Sequence, residues 1–246
     1  MTHAAVLFDL DDTLFDHHGS SRAALARVHA ASIASSAAFE AFERHHAHFL
    51  EELHVEVLAG RLSLDAARIE RFRRVFAALG LTVTAGQAAG AAAAYRDGYR
   101  DARRGIDGAR ELLALLHART RVAVVSNNLL DEQQEKIALC GFAPFVDALV
   151  VSEEVGAPKP AAAMFETALA RLGVAVSDAI MIGDSWAADI EGARAAGLRA
   201  IWFNPGRRPP PPGAREVEQL HALVPAGDTA ARILAALHRP LHAHRD

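Results

Sequence analysis

Short, unbroken apolar runs alternate with segments of helical spacing over most of the chain. Five runs stand out, Ala4–Phe8, Arg121–Val125, Asp147–Val151, Ala179–Ile182 and Arg199–Phe203. Each predicts a strand buried on both faces, because a strand with one wet face would alternate apolar and polar residues instead. Helical segments are interleaved with the last four: Gly108–Ala118, Leu130–Leu139, Pro160–Leu172 and Ala187–Ala196. Gly141, Gly173 and Gly197 fall just past the last periodic residue of a helix, where a left-handed backbone ends it. Pro160 stands where a first helical residue would, since the amide hydrogen it lacks has no partner there. Such alternation predicts an α/β fold, a doubly wound parallel Rossmann-like sheet.

The alternation lapses between the first and second strands. Ser20–Ala34, Ala37–Leu58, Ser63–Leu79 and Thr84–Arg103 read as consecutive helices. Phe39, Phe42, Phe49, Leu50 and Leu53 form an apolar stripe on the second of them. A parallel crossover needs only about a dozen residues, so residues 17–104 are expected to be an all-helical cap domain. It is inserted into a core made of residues 1–16 and 105–246. Pro209–Pro212 cannot donate to a sheet and reads as a stiff surface linker to a last helix near Asp228–Leu237.

Composition narrows the class of function. In 246 residues, 26 Lys and Arg face 30 Asp and Glu, a net charge of −4. That balance argues against a nucleic acid polymer or an anionic membrane as partner. Hydrophobic residues make up 51%, but 54 of them are alanine, so the excess is helix-favouring filler. No apolar run approaches the ~18 residues of a membrane span, and Ala4–Phe8 lacks a signal-peptide layout. Cys140 is the single cysteine and reads as a small buried hydrophobe; no disulfide can form within the chain, which suits a cytoplasmic protein.

Four polar clusters close predicted strands or open predicted helices. Asp9, Asp11 and Asp12 follow the first strand. Three carboxylates there are unfavourable unless a cation or proton neutralises them, which suggests a magnesium site; an Asp-rich turn is the alternative. Ser126, Asn127 and Asn128 close the second strand. Their hydroxyl, amide and backbone N–H groups suit a phosphate, although an Asn-rich turn, with Asn128 left-handed, would look the same. Lys159 is one of only two lysines in the chain; it is either a solvated loop residue or a point charge bridging carboxylate and phosphate. Asp184 closes the fourth strand and Asp189 lies about one helical turn further on the same side. They suit a metal and its support, or else a helix cap with a first-turn partner.

Taken in order, these segments resemble the haloacid dehalogenase superfamily of phosphohydrolases. The likeness covers residues 1–16 and 105–205 and includes a helical cap between the first two motifs. Within it, Val150–Pro160 and Gly183–Gly197 are most similar to the pyrimidine 5′-nucleotidase and acylneuraminate-9-phosphatase-like group. The resemblance implies Asp9 as a nucleophile forming an aspartyl-phosphate and Asp11 as general acid and then base. Ser126, Asn127 and Lys159 would bind phosphate; Asp9, Asp11 (through its main-chain carbonyl) and Asp184 would hold Mg2+, with Asp189 supporting them. Asn128 departs from the family, which usually has glycine there. The presence of Asp11 argues against the dehalogenases, and the absence of lysine from residues 17–104 against the phosphonate-cleaving branch.

The expected protein is therefore a Mg2+-dependent phosphomonoester hydrolase of a small phosphorylated metabolite, such as a pyrimidine nucleoside 5′-monophosphate, acting as a monomer or homodimer. A phosphomutase and a non-catalytic phosphometabolite-binding protein are the alternatives. Other polar features are read as structural. His45, His46 and His48 lack the remaining ligands of a transition-metal site and make a solvated or packed helix face. Tyr95 and Tyr99 could frame a substrate base, but packing of two helices is favoured; either of Arg68 and Arg71 could reach into a cleft, but surface ion pairs are the default; His238, His242 and His244 belong to a terminal tail.

Overall fold

The computed structural model describes residues 4–32, 37–214 and 216–239; His242 and His244 lie outside them. Among the described residues six strands form one sheet: β1 (Ala5–Phe8), β2 (Arg121–Ser126), β3 (Ala148–Val151), β4 (Ala179–Gly183), β5 (Arg199–Phe203) and β6 (Glu218–Leu220). All pairings are parallel, in the order β3-β2-β1-β4-β5-β6. The fold is the doubly wound α/β architecture. The chain leaves β1 toward β2 on one side and returns from β3 to β4 on the other, so the order reverses beside β1. At such a switch point the loops after neighbouring strands diverge and leave a crevice at their carboxyl ends.

Burial on both faces accounts for the unbroken apolar runs. Ala5, Leu7, Ala123, Val125, Val150 and Met181 share a core with Met164, Phe165 and Ala168 of α8 (Ala162–Leu172). Alternate residues Val6, Phe8, Val122, Val124 and Ile182 point to the other face and are equally inaccessible. Helix α5 (Ala109–His117) packs on β2 and against α10 (Ala226–Leu237).

The structure departs from the local sequence pattern at several points. β6 was not foreseen: it has three residues, of which only Leu220 is buried, so no apolar run announces it. Pro160 does not open α8. The Ala161 N–H closes a turn on the Pro158 carbonyl, and Pro160 packs so closely on Gly192 that a Cβ there would lie 2.8 Å from it. Where one helix was expected at Ala187–Ala196, a π-helical turn, Trp186–Glu191, runs into the short α9 (Gly192–Ala195). Cys140 is half-buried.

The chain separates into two compact units, Met1–Asp16 with Arg104–Asp246, and His17–Arg103. The second contains α1 (His17–Ser32), α2 (Phe39–Leu58), α3 (Leu64–Ala78) and α4 (Ala85–Ala102). Its core joins Leu25, Val28, Phe42, Phe72, Val75, Phe76, Ala91 and Ala92. Ser63 caps α3 by accepting from the Ala66 N–H, and Thr84 and Gln87 form a reciprocal capping box on α4. Tyr95 and Tyr99 hydrogen-bond Ser21 and His17, tying α4 to α1. His46 is buried between Phe72 and Tyr95. Burial and the neighbouring Arg71 charge hold its pKa well below the ordinary range. Arg68 pairs with Asp65 at 3.0 Å, but Arg71 is not a surface residue. It is 6% exposed and meets the neutral His46 ring, at 3.3 Å, rather than a carboxylate. Position i+3 from a surface arginine turned inward with Phe72 and Val75.

Candidate active site

The backbone of β1 carries Asp9 to the crevice, where its N–H continues the β1–β4 pairing by donating to Ile182 O at 2.9 Å. Beyond it the chain turns sharply. The N–H groups of Leu14 and Phe15 converge on Leu10 O, and Asp12 N–H returns to Phe15 O at 2.7 Å. Asp12 takes the left-handed conformation, φ 61°, that the sequence reading had allowed for Asn128. Asn128 does not adopt a positive φ; its side chain accepts from its neighbour Leu129 N–H and donates toward Asp11 Oδ2 at 3.4 Å.

Asp9, Asp184 and Asp189 meet. One carboxylate oxygen from each lies within 4.8 Å of the others, on the ends of β1 and β4 and on the π-helical turn. That turn matters to the geometry. Asp189 N–H and Ile190 N–H both donate to Ser185 O, and the extra residue per turn brings Asp189 back over the strand end, where its Oδ2 accepts from Ser185 N–H at 3.0 Å. Gly183 makes room: a Cβ there would sit 2.3 Å from Asp189 Cγ. Asp184 is held from behind, its carbonyl accepting from Trp202 Nε1 and Arg208 Nη2, both at 2.9 Å.

Lys159 is no solvated loop residue. It is 4% exposed, and Nζ donates to Asp9 Oδ1 at 2.6 Å, Asp189 Oδ1 at 2.6 Å and Val125 O at 2.7 Å. Asn127 fixes the loop that carries it: Oδ1 accepts from Lys159 N–H at 2.6 Å and Nδ2 donates to Lys159 O at 2.9 Å. The amide expected to face a phosphate is thus committed to the protein. Ser126 is 2% exposed, its Oγ accepting from Gln133 Nε2 at 2.6 Å.

Asp11 stands apart from the three clustered carboxylates. Its Oδ1 takes a 2.6 Å bond from Lys136 Nζ and its Oδ2 a 2.9 Å bond from Gln133 Nε2. Neither Lys136 nor Gln133 was singled out from sequence. The scarcity of lysine, which drew attention to Lys159, applies equally to Lys136.

Three clustered carboxylates, two of them on the Lys159 ammonium, leave an excess of negative charge, and the electrostatics show it. Burial pushes the Asp9 carboxyl well above the ordinary carboxylate range; Lys159 opposes the rise, while Asp189 and Asp184 add to it. Asp184 is raised to about 7 by burial and by the charges of Asp189 and Asp12. For Lys159 burial disfavours the charged form, but Asp189 and Asp9 outweigh it and hold the ammonium above its usual value. An all-oxygen donor set short of positive charge fits a hard divalent cation such as magnesium. Among the described residues this is the only group of three or more acidic, histidine or cysteine side chains with such spacing.

The haloacid dehalogenase-like hydrolase family matches residues 3–197. Ribulose-1,5-bisphosphate 5-phosphatase of Halopiger xanaduensis is 32% identical over 204 residues, 82% of this chain and 84% of that protein. Pyrimidine 5′-nucleotidase PynA of Streptococcus pneumoniae is 27% identical over 209 residues, 83% of this chain and 85% of that one. Among solved structures, the HAD-hydrolase YfnB of Bacillus subtilis bound to magnesium superposes with a TM-score of 0.72 at 24% identity. That match covers 94% of this chain and 99% of YfnB. None of the helices among the described residues is long and apolar enough to cross a membrane.

Proposed function

This chain belongs to the haloacid dehalogenase-like hydrolase family and is a phosphatase; from that premise we propose that it hydrolyses a small phosphorylated metabolite through an aspartyl-phosphate on Asp9. The observation that carries the reading is the convergence of Asp9, Lys159, Asp184 and Asp189 on one strand-end crevice. An Asp9 oxygen attacks phosphorus and the bond to the leaving oxygen breaks, the proton coming from the Asp11 carboxyl. Water then attacks the phosphorus of the mixed anhydride and gives its proton to Asp11; inorganic phosphate departs and Asp9 is restored. Splitting the transfer in two exchanges one difficult displacement for two easier ones.

Lys159 offsets the charge of the phosphoryl oxygens, while the Ser126 hydroxyl and the Asn127 backbone N–H hold them; phosphoryl transfer asks mainly for such positioning and neutralisation. Magnesium held by Asp9, Asp184 and the main-chain carbonyl of Asp11 would supply further neutralisation of those oxygens. Asp189 steers rather than ligates, since its oxygens accept from Lys159 and Ser185. The helical insertion of residues 17–104 is proposed as the cap that selects the substrate. A pyrimidine nucleoside 5′-monophosphate is the favoured class, in keeping with the PynA likeness. The single cysteine agrees with a cytoplasmic setting, and the working state is a monomer or homodimer.

The test is turnover of an aryl phosphate with magnesium and with a chelator. Asp9→Asn is expected to remain folded and lose turnover; wild-type rates in that variant would refute the assignment. A panel of nucleoside monophosphates, sugar phosphates and phosphoglycolate then identifies the ester.

A further inference from the structure

Helix α6 (Leu130–Leu139) buries an unexpected set of residues, Gln133, Lys136 and Ile137. Lys136 is 2% exposed and Gln133 fully buried. Placing an ammonium and an amide where leucines would build core is unfavourable before partners are counted. The partners are specific. Lys136 Nζ bonds Asp11 Oδ1 at 2.6 Å and lies 5.2 Å from the centroid of the Phe15 ring, a cation–π contact. Gln133, one turn earlier, gives Nε2 both to Asp11 Oδ2 at 2.9 Å and to Ser126 Oγ at 2.6 Å.

The orientation of that amide follows from chemistry. With Asp11 ionised, as it is before it takes up the proton it later gives, its oxygens only accept, so the NH2 end faces Asp11; Oε1 then lies buried with no hydrogen-bond partner among the described residues. An orphaned acceptor is a further penalty, which packing alone gives no reason to tolerate. Both Asp11 oxygens are therefore engaged from one helix face. Because Ser126 Oγ already accepts from Gln133, its own hydrogen is directed elsewhere.

We propose that Lys136 and Gln133 are positioning residues for the chemical step. Lys136 fixes the Asp11 carboxyl at the place from which it serves the leaving oxygen. Gln133 ties Asp11 to Ser126, so that the Ser126 hydrogen is presented to the phosphoryl group. The inference rests on the reading of Asp11 as acid and base and adds a role for two side chains that touch neither substrate nor metal. Its consequence is a dependence on the leaving group. An alkoxide must be protonated as it leaves; a 4-nitrophenolate need not be.

The experiment compares kcat/KM for 4-nitrophenyl phosphate and a simple alkyl phosphate in wild type, Lys136→Met and Lys136→Arg. General acid help is worth about 10²–10⁴-fold, so Lys136→Met is expected to lose about 10–100-fold more on the alkyl than on the aryl ester. Lys136→Arg should recover most of the alkyl activity. If Lys136→Met does not fold, Lys136→Gln keeps a hydrogen-bonding side chain without the charge and must show the same selective loss. Equal losses on both esters in a folded variant would make Lys136 a packing residue and overturn the inference, even with Asp9→Asn inactive. An inactive wild type, or an active Asp9→Asn, would instead sink the underlying reading as well.

Discussion

Replacing Lys159 with methionine keeps most of the length and volume of the side chain while deleting a charge that Asp9 and Asp189 both contact at 2.6 Å. The side chains are 2%, 10% and 1% exposed respectively, so solvent screens the carboxylates poorly once the ammonium is gone. Removing one partner of a buried ion pair destabilises by about 3–5 kcal/mol, which for a chain of this size is a fall of roughly 6–20 °C in Tm. The penalty should depend on pH with a definite sign. Burial already raises the Asp9 carboxyl and only Lys159 opposes the rise; without the lysine Asp9 protonates more readily in the folded than in the unfolded chain, so the native state binds more protons and stability falls as pH rises. In chelator, the deficit of Lys159→Met should be small near pH 5 and full at pH 8. Magnesium at pH 8 should restore part of it. Thermal melts of both proteins at the two pH values, with and without magnesium, are the assay. A deficit below about 1 kcal/mol at pH 8 without metal, or one that grows on acidification, would refute the charge-balance argument.

Two further outcomes follow from the same crevice. Asp184 is raised to about 7, so the metal-free wild type should lose stability as pH climbs from about 4 to about 7, and magnesium binding at pH 6 should release protons, measurable by calorimetry in buffers of different ionisation heat. Gly183→Ala places a methyl group 2.3 Å from Asp189 Cγ; a loss of about 1–3 kcal/mol in stability, typical of an overpacked core, should accompany weakened magnesium affinity, and unchanged affinity would show that Asp189 moves without consequence.

Local chemistry made much of this protein readable in advance. Strands buried on both faces must be apolar throughout, so β1 to β5 could be recognised without their neighbours. Ser63 and Thr84 announce helix starts because capping is a contact between residues three apart. Asp9 and Asp184 could be selected as candidates because polar residues ending buried strands are few, Lys159 because lysine is rare in the chain, and Asp189 because it follows Asp184 at about one helical turn.

What escaped depends on distant partners. β6 forms only because β5 offers an open edge, and Arg71 looks like Arg68 until the side of α3 facing the core is known. Asn127 carries the chemistry of a phosphate ligand, yet the loop 32 residues away claims its amide. Nothing in the local pattern sets Lys136 and Gln133 apart on their helix; their meaning comes from Asp11, more than 120 residues earlier in the chain. Sequence determines which groups are present and what periodicity they follow. Only the folded chain decides which of them share a low-dielectric space, and there the pairing of charges, rather than their identity, sets what each can do.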